Sequence, residues 1–211
     1  MNNFFLRIFS SLFLLPIFLY IVFINNYLFI ILLLFIFLIS VYEFKFLYKR
    51  RKFFFLLFNF LIILFLVSFF KLRGADEVNF YYLVWIMNIV WLTDVGGYFA
   101  GRLFKGPKLS KWSPNKTISG FLGSLIFSQF SFLILCYFID DIVFSLKFFF
   151  IQIVISLVSI LGDLFFSFVK RVNNLKDYSN IIPGHGGLLD RIDGLVFAII
   201  FSFILKIFHV Y

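Results

Sequence analysis

The sequence predicts an all-α, polytopic integral membrane protein with about seven transmembrane helices. Three observations predict this class: 63% of the 211 residues are hydrophobic, only 14% are charged, and the mean hydropathy is +1.07. Soluble domains carry about a quarter charged residues, so a soluble fold of this length could not cover its surface. We therefore expect a single membrane domain over residues 1–211.

Seven apolar stretches are each long enough to cross a bilayer, which takes about 20 mostly apolar residues in a helix. Polar or basic segments separate them, and they cover residues 4–24, 27–47, 53–70, 80–101, 118–138, 146–168 and 195–211. The first lies where a signal peptide would lie. Its apolar part is long, however, and no small-residue cleavage site follows it, so we expect a retained span.

Basic residues concentrate on one side of this arrangement. The loops after the second, fourth and sixth spans hold 13 Lys and Arg residues, whereas the opposite loops hold three basic and four acidic residues. The positive-inside rule then places loops 102–117 and 169–194 in the cytoplasm, with a cytoplasmic N-terminus and an external C-terminus. Topology and anionic lipid headgroups explain the net charge of +9 better than nucleic-acid binding does.

Two aspartates lie inside apolar stretches, near the predicted cytoplasmic ends of their helices. Asp94 belongs to the fourth stretch and Asp163 to the sixth. A carboxylate at such a depth costs several kcal/mol unless it faces a cavity, a cation or a partner. The pair therefore indicates a functional site, with a structural ion pair or helix cap as the alternative interpretation.

The segment GDLFFSFVKR (162–171) extends the second of these charges into a polar stripe. Asp163, Ser167 and Lys170 are spaced i, i+4, i+7, so they share one face of an otherwise apolar helix. Taken alone, the stripe is typical of a cation or phosphate path, or of a hydrogen-bond network inside a helix bundle.

The segment PGHGGLLDRIDG (183–194) begins as a turn and continues into the last span. Its first residues are helix breakers, and we expect Gly186 and Gly187 to leave backbone amides uncovered in a turn that suits an anion. A single histidine is usually a satisfied polar residue. Because His185 stands between two glycines, it is better interpreted as a loop donor to an anion.

The second half of the same segment carries acidic side chains. Asp190 and Asp193 are spaced i, i+3 and can share a helical face, and Arg191 adds a cation beside them. Carboxylates together with arginine and lysine suggest a hard metal ion bound with a phosphate-rich substrate. The pattern is not typical of zinc, since the chain contains only two histidines.

The loop GRLFKGPKLSKWSPNKTISG (101–120) holds five basic residues among hydroxyl side chains and glycines. It can be a solvated loop that sets topology, or a phosphate-binding loop that includes Arg102 and Lys116. Ser113 or Thr117 could cap the helix that follows, whose positive N-terminal end would then point at the cytoplasmic site. The loop lacks Walker-type spacing.

Together these stretches resemble the phosphatidate cytidylyltransferase family. Its signature is a serine, then Lys-Arg, Lys-Asp, His-Gly-Gly and a final Asp-Arg-x-Asp, and residues 167–193 read SFVKRVNNLKDYSNIIPGHGGLLDRID. TDVGGYFAGRLF (93–104) and SPNKTISG (113–120) are also similar to family segments in the same order. The resemblance covers residues 91–211 as the catalytic part, and residues 1–90 match only in being hydrophobic.

The resemblance implies transfer of a cytidylyl group from CTP to phosphatidic acid, which yields CDP-diacylglycerol and pyrophosphate. It implies dependence on Mg²⁺, allows a second cation such as K⁺, and implies a homodimer in the inner membrane. No covalent enzyme intermediate is required, because the phosphate nucleophile is already an anion. Metal ions and fixed cations would bring the two polyanions together.

The resemblance and the charge pattern together assign roles to the residues. Metal ligands are expected at Asp163 and Asp190, with Asp193 as a further ligand or as a residue that orients the ligands. Phosphates are expected to contact Lys170, Arg171 and Arg191. His185 and the backbone of Gly186 and Gly187 are expected to contact the phosphates or the cytidine side of CTP. Ser167 is expected to bind substrate, and Lys176 and Asp177 are expected to support the loop. The opposite wall of the site is expected to contain Asp94, Arg102, Ser113, Lys116 and Thr117.

The chain also departs from the family pattern. It is shorter than most members, which usually have additional N-terminal spans, and Val95 and Gly96 follow Asp94 where a hydroxyl residue is more common. The 104–108 segment is slightly rearranged. Two alternative functions stay open: a related enzyme that uses CTP on another lipid, and an ion transporter in which Asp94 and Asp163 form the path.

Overall fold

The computed structural model describes residues 16–22, 26–74, 77–138, 146–182 and 186–210, and most of these residues are helical. Helix α1 is described over residues 16–22. The helices that follow are α2 (Asn26–Arg50), α3 (Lys52–Arg73), α4 (Glu77–Phe104), α5 (Ile118–Ser128), α6 (Ser131–Phe138), α7 (Leu146–Val172) and α8 (Leu189–Ile207). Extended pairing in this part of the chain is limited to the isolated bridges Lys108–Thr117 and Ile182–Gly186.

Five segments of the described chain are long and apolar enough to cross a membrane. They are Asn26–Lys45, Lys52–Arg73, Val78–Phe104, Ile118–Phe138 and Leu146–Val172. They coincide with the second to sixth predicted spans, which confirms an all-helical membrane protein. Most of the first predicted span, 4–24, lies outside the described residues, and the last, 195–211, is not among the five, so these two stay predictions.

Five helices, α2, α3, α4, α7 and α8, extend beyond the predicted apolar stretches and include charged residues. Helix α4 continues to Phe104, α7 continues to Val172, and α8 begins at Leu189. Arg102, which was expected in a loop, therefore lies in the last turn of α4. Apolar runs underestimate these helices because helical hydrogen bonding continues past the point at which the side chains become polar.

The predicted span 118–138 is divided into α5 and α6 by a turn at Gln129 and Phe130. The amides of both residues bond to carbonyls three positions earlier, Ile126 and Phe127, at 3.2 and 3.1 Å. The Gln129 side chain also donates to the Leu125 carbonyl at 3.3 Å. A polar side chain that competes for backbone carbonyls tightens a helix locally, which explains the break inside an apolar segment.

The described chain packs as two compact units. The first consists of residues within Met1–Leu66 and Asn174–Ile192, and the second of residues within Val67–Asn173 and Asp193–Tyr211. A single membrane domain over 1–211 stays a prediction. The candidate site residues divide between the units, with Asp163 and Asp193 in the second and Asp190 in the first.

Helices α4 and α5 of the second unit approach each other through glycines. A Cβ atom on Gly123 would lie 2.2 Å from the Cβ of Ala100 and 2.8 Å from the carbonyl oxygen of Gly96. A Cβ atom on Gly120 would lie 2.7 Å from the carbonyl oxygen of Gly97. Small residues at such contacts let transmembrane helices pack backbone to backbone, and this contact aligns the helix that carries Asp94 with the start of α5.

Thr117 caps the N-terminus of α5, which decides between the two candidates from the sequence. Its side-chain oxygen accepts the amide hydrogen of Gly120 at 3.1 Å from an extended backbone conformation. The Lys108–Thr117 bridge and the bond from the Ile118 amide to the Pro107 carbonyl (3.0 Å) close the preceding loop. The cap therefore determines where the basic loop ends.

Replacement of Thr117 by Ala is expected to lower the free energy of unfolding by about 0.5–2 kcal/mol, because the Gly120 amide loses its acceptor. Thermal unfolding of the purified protein in detergent measures this. Thr117→Ser keeps the hydroxyl and should behave like the wild type. Equal melting temperatures for Thr117→Ala and the wild type would contradict the capping role.

Candidate functional site

Asp163 contacts two of the predicted site residues. Its Oδ2 atom forms an ion pair with Nζ of Lys116, and its Oδ1 atom accepts a hydrogen bond from the hydroxyl of Ser167 at 3.2 Å. The second contact confirms that Asp163 and Ser167 share one face of α7. The first brings the 101–120 loop onto that face.

The Lys116–Asp163 pair is open to solvent, since 29% and 23% of the two side chains are exposed. An ion pair with this exposure contributes at most about 1 kcal/mol to stability. Its importance is therefore positional. It holds a cation and a carboxylate at the edge of a polar site, where either group can turn toward a charged ligand.

Asp193 lies close to Asp163 because α7 and α8 cross at two glycines. A Cβ atom on Gly162 would lie 3.0 Å from the carbonyl oxygen of Asp193, and one on Gly194 would lie 2.7 Å from the hydroxyl of Ser159. The Asp193 carboxylate accepts the amide of Gly194 at 2.8 Å. This crossing brings Asp193 beside the part of α7 that carries Asp163.

The charges around Asp193 are of both signs. Burial and the neighbouring Asp163 carboxylate raise the pKa of Asp193, which precedes the apolar run that begins at Leu195, well above its ordinary value. Asp94 acts in the same direction, whereas Lys170 lowers the pKa. Carboxylates that disfavour each other's charge favour the approach of a cation.

A cavity of about 220 Å³ lies between α4, the 101–120 loop and α5. Both charged groups of its wall, Asp94 and Lys116, are predicted site residues. Polar uncharged groups complete much of the lining, including Thr93, Asn115, Thr117 and Ser124. Water occupies about 30 Å³ per molecule in the liquid, so the cavity has room for a polar group several times that size.

The two other predicted residues of this wall, Arg102 and Ser113, are not among the residues that line the cavity. Arg102 donates to the hydroxyl of Tyr98 at 2.8 Å and is exposed. The Ser113 carbonyl accepts the amide of Lys116 at 3.1 Å. Lys170 and Arg171 both lie in the last turn of α7.

The first unit holds the segment that follows α7. One carboxylate oxygen of Asp190, Oδ2, accepts the amides of Tyr178 (3.0 Å) and Gly187 (2.9 Å). Asp177 lies beside Gly186, whose positive φ of 86° is one that glycine adopts readily. Asp190 thus joins the two ends of the 178–187 loop.

Three further predicted residues belong to the same part of the sequence. Lys176 and Arg191 are exposed. His185 lies outside the described residues, so its role as an anion donor stays a prediction.

The expectation that Gly187 leaves its amide uncovered is wrong, because that amide donates to Asp190. The next two amides, those of Leu188 and Leu189, both donate to the side chain of Glu43 at 2.8 Å. An internal carboxylate therefore occupies the Gly187 amide, one of the two that the sequence suggested for an anionic ligand. The physical reason is that a helix N-terminus attracts any nearby negative charge, including one from the same chain.

Glu43 is a residue that the sequence interpretation missed. It lies in α2, within the candidate span Asn26–Lys45, and only 2% of its surface is exposed. The criterion that identified Asp94 and Asp163, a carboxylate within an apolar stretch, also applies to Glu43.

The described residues contain no group of three or more His, Cys, Asp or Glu side chains arranged to hold a metal ion. Mg²⁺ does not require such a group. That ion keeps several waters and usually binds one or two carboxylates together with substrate phosphates, without a complete cage of protein ligands.

Residues 45–208 match the sequence model of the Cytidylyltransferase family, so the match begins upstream of the resemblance that starts near residue 91. The phosphatidate cytidylyltransferase of Staphylococcus saprophyticus subsp. saprophyticus is 39% identical over 136 residues, which are 63% of this chain and 52% of that protein. The phosphatidate cytidylyltransferase of Aquifex aeolicus is 40% identical over 137 residues, 64% of this chain and 49% of that protein. The chain thus spans about half the length of the curated relatives it matches.

Proposed function

This chain belongs to the Cytidylyltransferase family, and from that premise we propose that it transfers the cytidylyl group of CTP to phosphatidic acid. The products are CDP-diacylglycerol and pyrophosphate. The relatives that carry the name phosphatidate cytidylyltransferase support the choice of lipid substrate. The proposed reaction belongs to phospholipid biosynthesis.

The observation that carries the proposal is the group of charges along α7. Asp163 pairs with Lys116, and Asp193 lies within electrostatic reach of both Asp163 and Lys170. Two polyanionic substrates repel each other, and a site that brings them together needs cations and groups that can hold further cations. Fixed lysines beside paired carboxylates meet both needs.

The reaction needs no base from the protein. An oxygen of the phosphatidate phosphate attacks the α-phosphorus of CTP, a new P–O bond forms, and the bond from the α-phosphorus to the α,β-bridging oxygen breaks. The electron pair leaves with pyrophosphate. We assign to Lys116, Lys170 and Arg171 the binding and orientation of phosphates, which converts the encounter into an in-line approach.

Among the described residues, Asp163 and Asp193 are the side chains we assign to Mg²⁺. When bound, this ion would neutralise phosphate charge and polarise the reacting phosphoryl group. Asp190 stays a predicted ligand, with one of its oxygens already used by the loop amides. A second cation such as K⁺, and a homodimer as the assembly, also stay proposals.

We place the site at the cytoplasmic face of the cell membrane. Basic residues follow α2, α4 and α7 in the sequence, and the positive-inside rule puts such segments in the cytoplasm. CTP is a cytosolic nucleotide, and the phosphatidate headgroup lies at the membrane interface. A cysteine accessibility experiment on variant Lys108→Cys in sealed inverted vesicles tests the orientation, since labelling from the cytoplasmic side is expected.

The decisive experiment incubates purified protein with labelled CTP, phosphatidate and Mg²⁺. We expect a labelled CDP-lipid together with pyrophosphate. Removal of divalent cations with EDTA should abolish product formation, and excess Mg²⁺ should restore it, because the two substrates then regain charge compensation. Failure to form CDP-lipid in the presence of Mg²⁺ would overturn the proposed function.

The same assay separates the alternatives. Replacement of phosphatidate by a polyprenyl phosphate tests the alternative that the protein uses CTP on another lipid. Such an enzyme would turn over the isoprenoid faster than phosphatidate. Cation uptake into liposomes that contain the purified protein, without any CTP-dependent product, would favour the transporter. Selective turnover of phosphatidate without cation flux is the result we expect.

A further inference from the structure

Glu43 is a buried carboxylate at the inner face of α2. Only 2% of its surface is exposed, and its neighbour in sequence, Phe44, is fully buried. A charged side chain in such surroundings is strongly unfavourable unless hydrogen bonds compensate it. The hydrogen-bond donors to Glu43 therefore indicate its structural role.

Within the part of the chain that the structure describes, Glu43 accepts three side-chain hydrogen bonds, from Ser179, Leu188 and Leu189. The hydroxyl of Ser179 donates to Oε1 at 2.5 Å, the amide of Leu188 donates to Oε1 at 2.8 Å, and the amide of Leu189 donates to Oε2 at 2.8 Å. The first donor follows α7 in the sequence, and the other two lie at the start of α8. One carboxylate thus joins both places across more than 130 residues of sequence separation.

The absence of a side chain at Gly187 leaves room for the Glu43 carboxylate. A Cβ atom on Gly187 would lie 2.5 Å from Oε1 of Glu43 and 3.0 Å from the hydroxyl of Ser179. Any larger residue at position 187 would push the carboxylate away from the two leucine amides. The second glycine of the HGG sequence is thereby explained by the approach of Glu43.

The bonds of Glu43 complement those of Asp190. Asp190 accepts the amides of Tyr178 and Gly187, and Glu43 accepts the next two amides along the chain. Three consecutive amides at the start of α8 are therefore bound by two carboxylates of the protein. The favourable field of this helix N-terminus is therefore already used by carboxylates of the protein.

We propose that Glu43 is a positioning residue for cytidylyl transfer, which holds Ser179 and the two leucines at the start of α8 and thereby orients Asp190. This inference rests on the proposed function. It assigns no direct contact between Glu43 and substrate. A displacement of about 1 Å in a reacting constellation can cost about a hundredfold in rate, so loss of this anchor should reduce turnover without removing a catalytic group.

The apolar contact between α2 and the segment after α7 is made by Phe44, so the role of Glu43 is to accept hydrogen bonds. The Phe44 ring stacks edge-on against Tyr178 with centroids 5.7 Å apart and lies 4.8 Å from the ring of Phe58. Glu43→Gln preserves the size of the side chain but replaces one acceptor oxygen by a donor group. It therefore tests the hydrogen bonds separately from packing.

The first test is hydrogen exchange of the purified full-length protein, read by mass spectrometry over residues 186–190. Glu43→Gln should accelerate exchange of the Leu188 and Leu189 amides about tenfold, as expected for loss of a hydrogen bond to a charged group. Ser40→Ala is the matched control. Ser40 is buried on the same helix and donates only to the Ile36 carbonyl of that helix, at 2.8 Å.

The second test is kinetic. Glu43→Gln should lower kcat/KM for CTP about 10- to 100-fold, Glu43→Asp should recover part of the loss, and Ser40→Ala should stay within about twofold of the wild type. Accelerated exchange with wild-type kcat/KM would overturn the positioning role. Unchanged exchange in Glu43→Gln would overturn the anchor itself.

A milder variant covers the case in which Glu43→Gln does not fold. Ser179→Ala removes one donor and leaves the carboxylate in place, so it should accelerate the same amides by a smaller factor and reduce kcat/KM in parallel. No change in either quantity would contradict the proposal. A wild-type protein without CTP turnover would overturn the proposed function and the positioning role with it, while the exchange result would still decide whether Glu43 anchors the loop.

Discussion

Replacement of Asp163 by Asn is expected to lower kcat/KM for CTP by about 10²–10³-fold. The substitution keeps the shape of the side chain and removes its negative charge. Lys116 then loses its ionic partner, and Asp193 is the only carboxylate of the two that remains. Because both effects weaken charge compensation in the transition state, the loss should appear mainly in kcat at saturating CTP and phosphatidate.

Two controls define what the Asp163→Asn result means. Ser167→Ala removes the donor to Oδ1 of Asp163 and should cost far less, since the charge remains. Glu77→Gln makes the same kind of carboxylate-to-amide change at the first residue of α4 and should leave kcat/KM within about twofold. An Asp163→Asn protein with activity within threefold of the wild type would contradict the assignment of Asp163 to the reaction centre.

Replacement of Gly123 by Val is expected to have the largest effect on stability. Its Cβ atom would lie 2.2 Å from the Cβ of Ala100 and 2.8 Å from the carbonyl oxygen of Gly96, so α4 and α5 must move apart. Overpacking of this kind costs about 1–3 kcal/mol. Thermal unfolding in detergent, followed by size-exclusion chromatography, should show a lower melting temperature and more aggregate.

A pair of compensating substitutions tests the geometry of this contact. Gly123→Ala places one methyl group against Ala100, and Ala100→Gly removes the atom that it meets. The double variant should therefore recover part of the stability that Gly123→Ala loses. Leu122→Val, at a residue that is 55% exposed on the same helix, should have little effect. A double variant no more stable than Gly123→Ala would contradict direct contact at this point.

The sequence predicted side-chain contacts best where the two partners are close together along one helix. The spacing of Asp163 and Ser167 predicted their common face, and the hydrogen bond between them confirms it. Thr117 was one of two predicted caps and is the residue that caps α5. Local periodicity is sufficient for such features, because the helix geometry alone determines which neighbours meet.

The sequence was least informative about which amides were available to a ligand. Gly187 looked free because a glycine exposes its backbone, but whether an amide is covered depends on a side chain that can come from any part of the chain. Glu43 lies more than 130 residues before the leucines that it binds. Neither periodicity nor motif spacing reports a pairing over that separation.

By itself, the sequence determined the class of protein, the five apolar spans that the structure confirms and the residues that make the family signature. These properties follow from composition and from spacing within a helix or a short motif. Only the tertiary structure decided that Lys116 pairs with Asp163, that glycines bring α4 against α5 and α7 against α8, and that Glu43 occupies the N-terminus of α8. Such contacts join distant parts of the chain, and they depend on how whole helices pack.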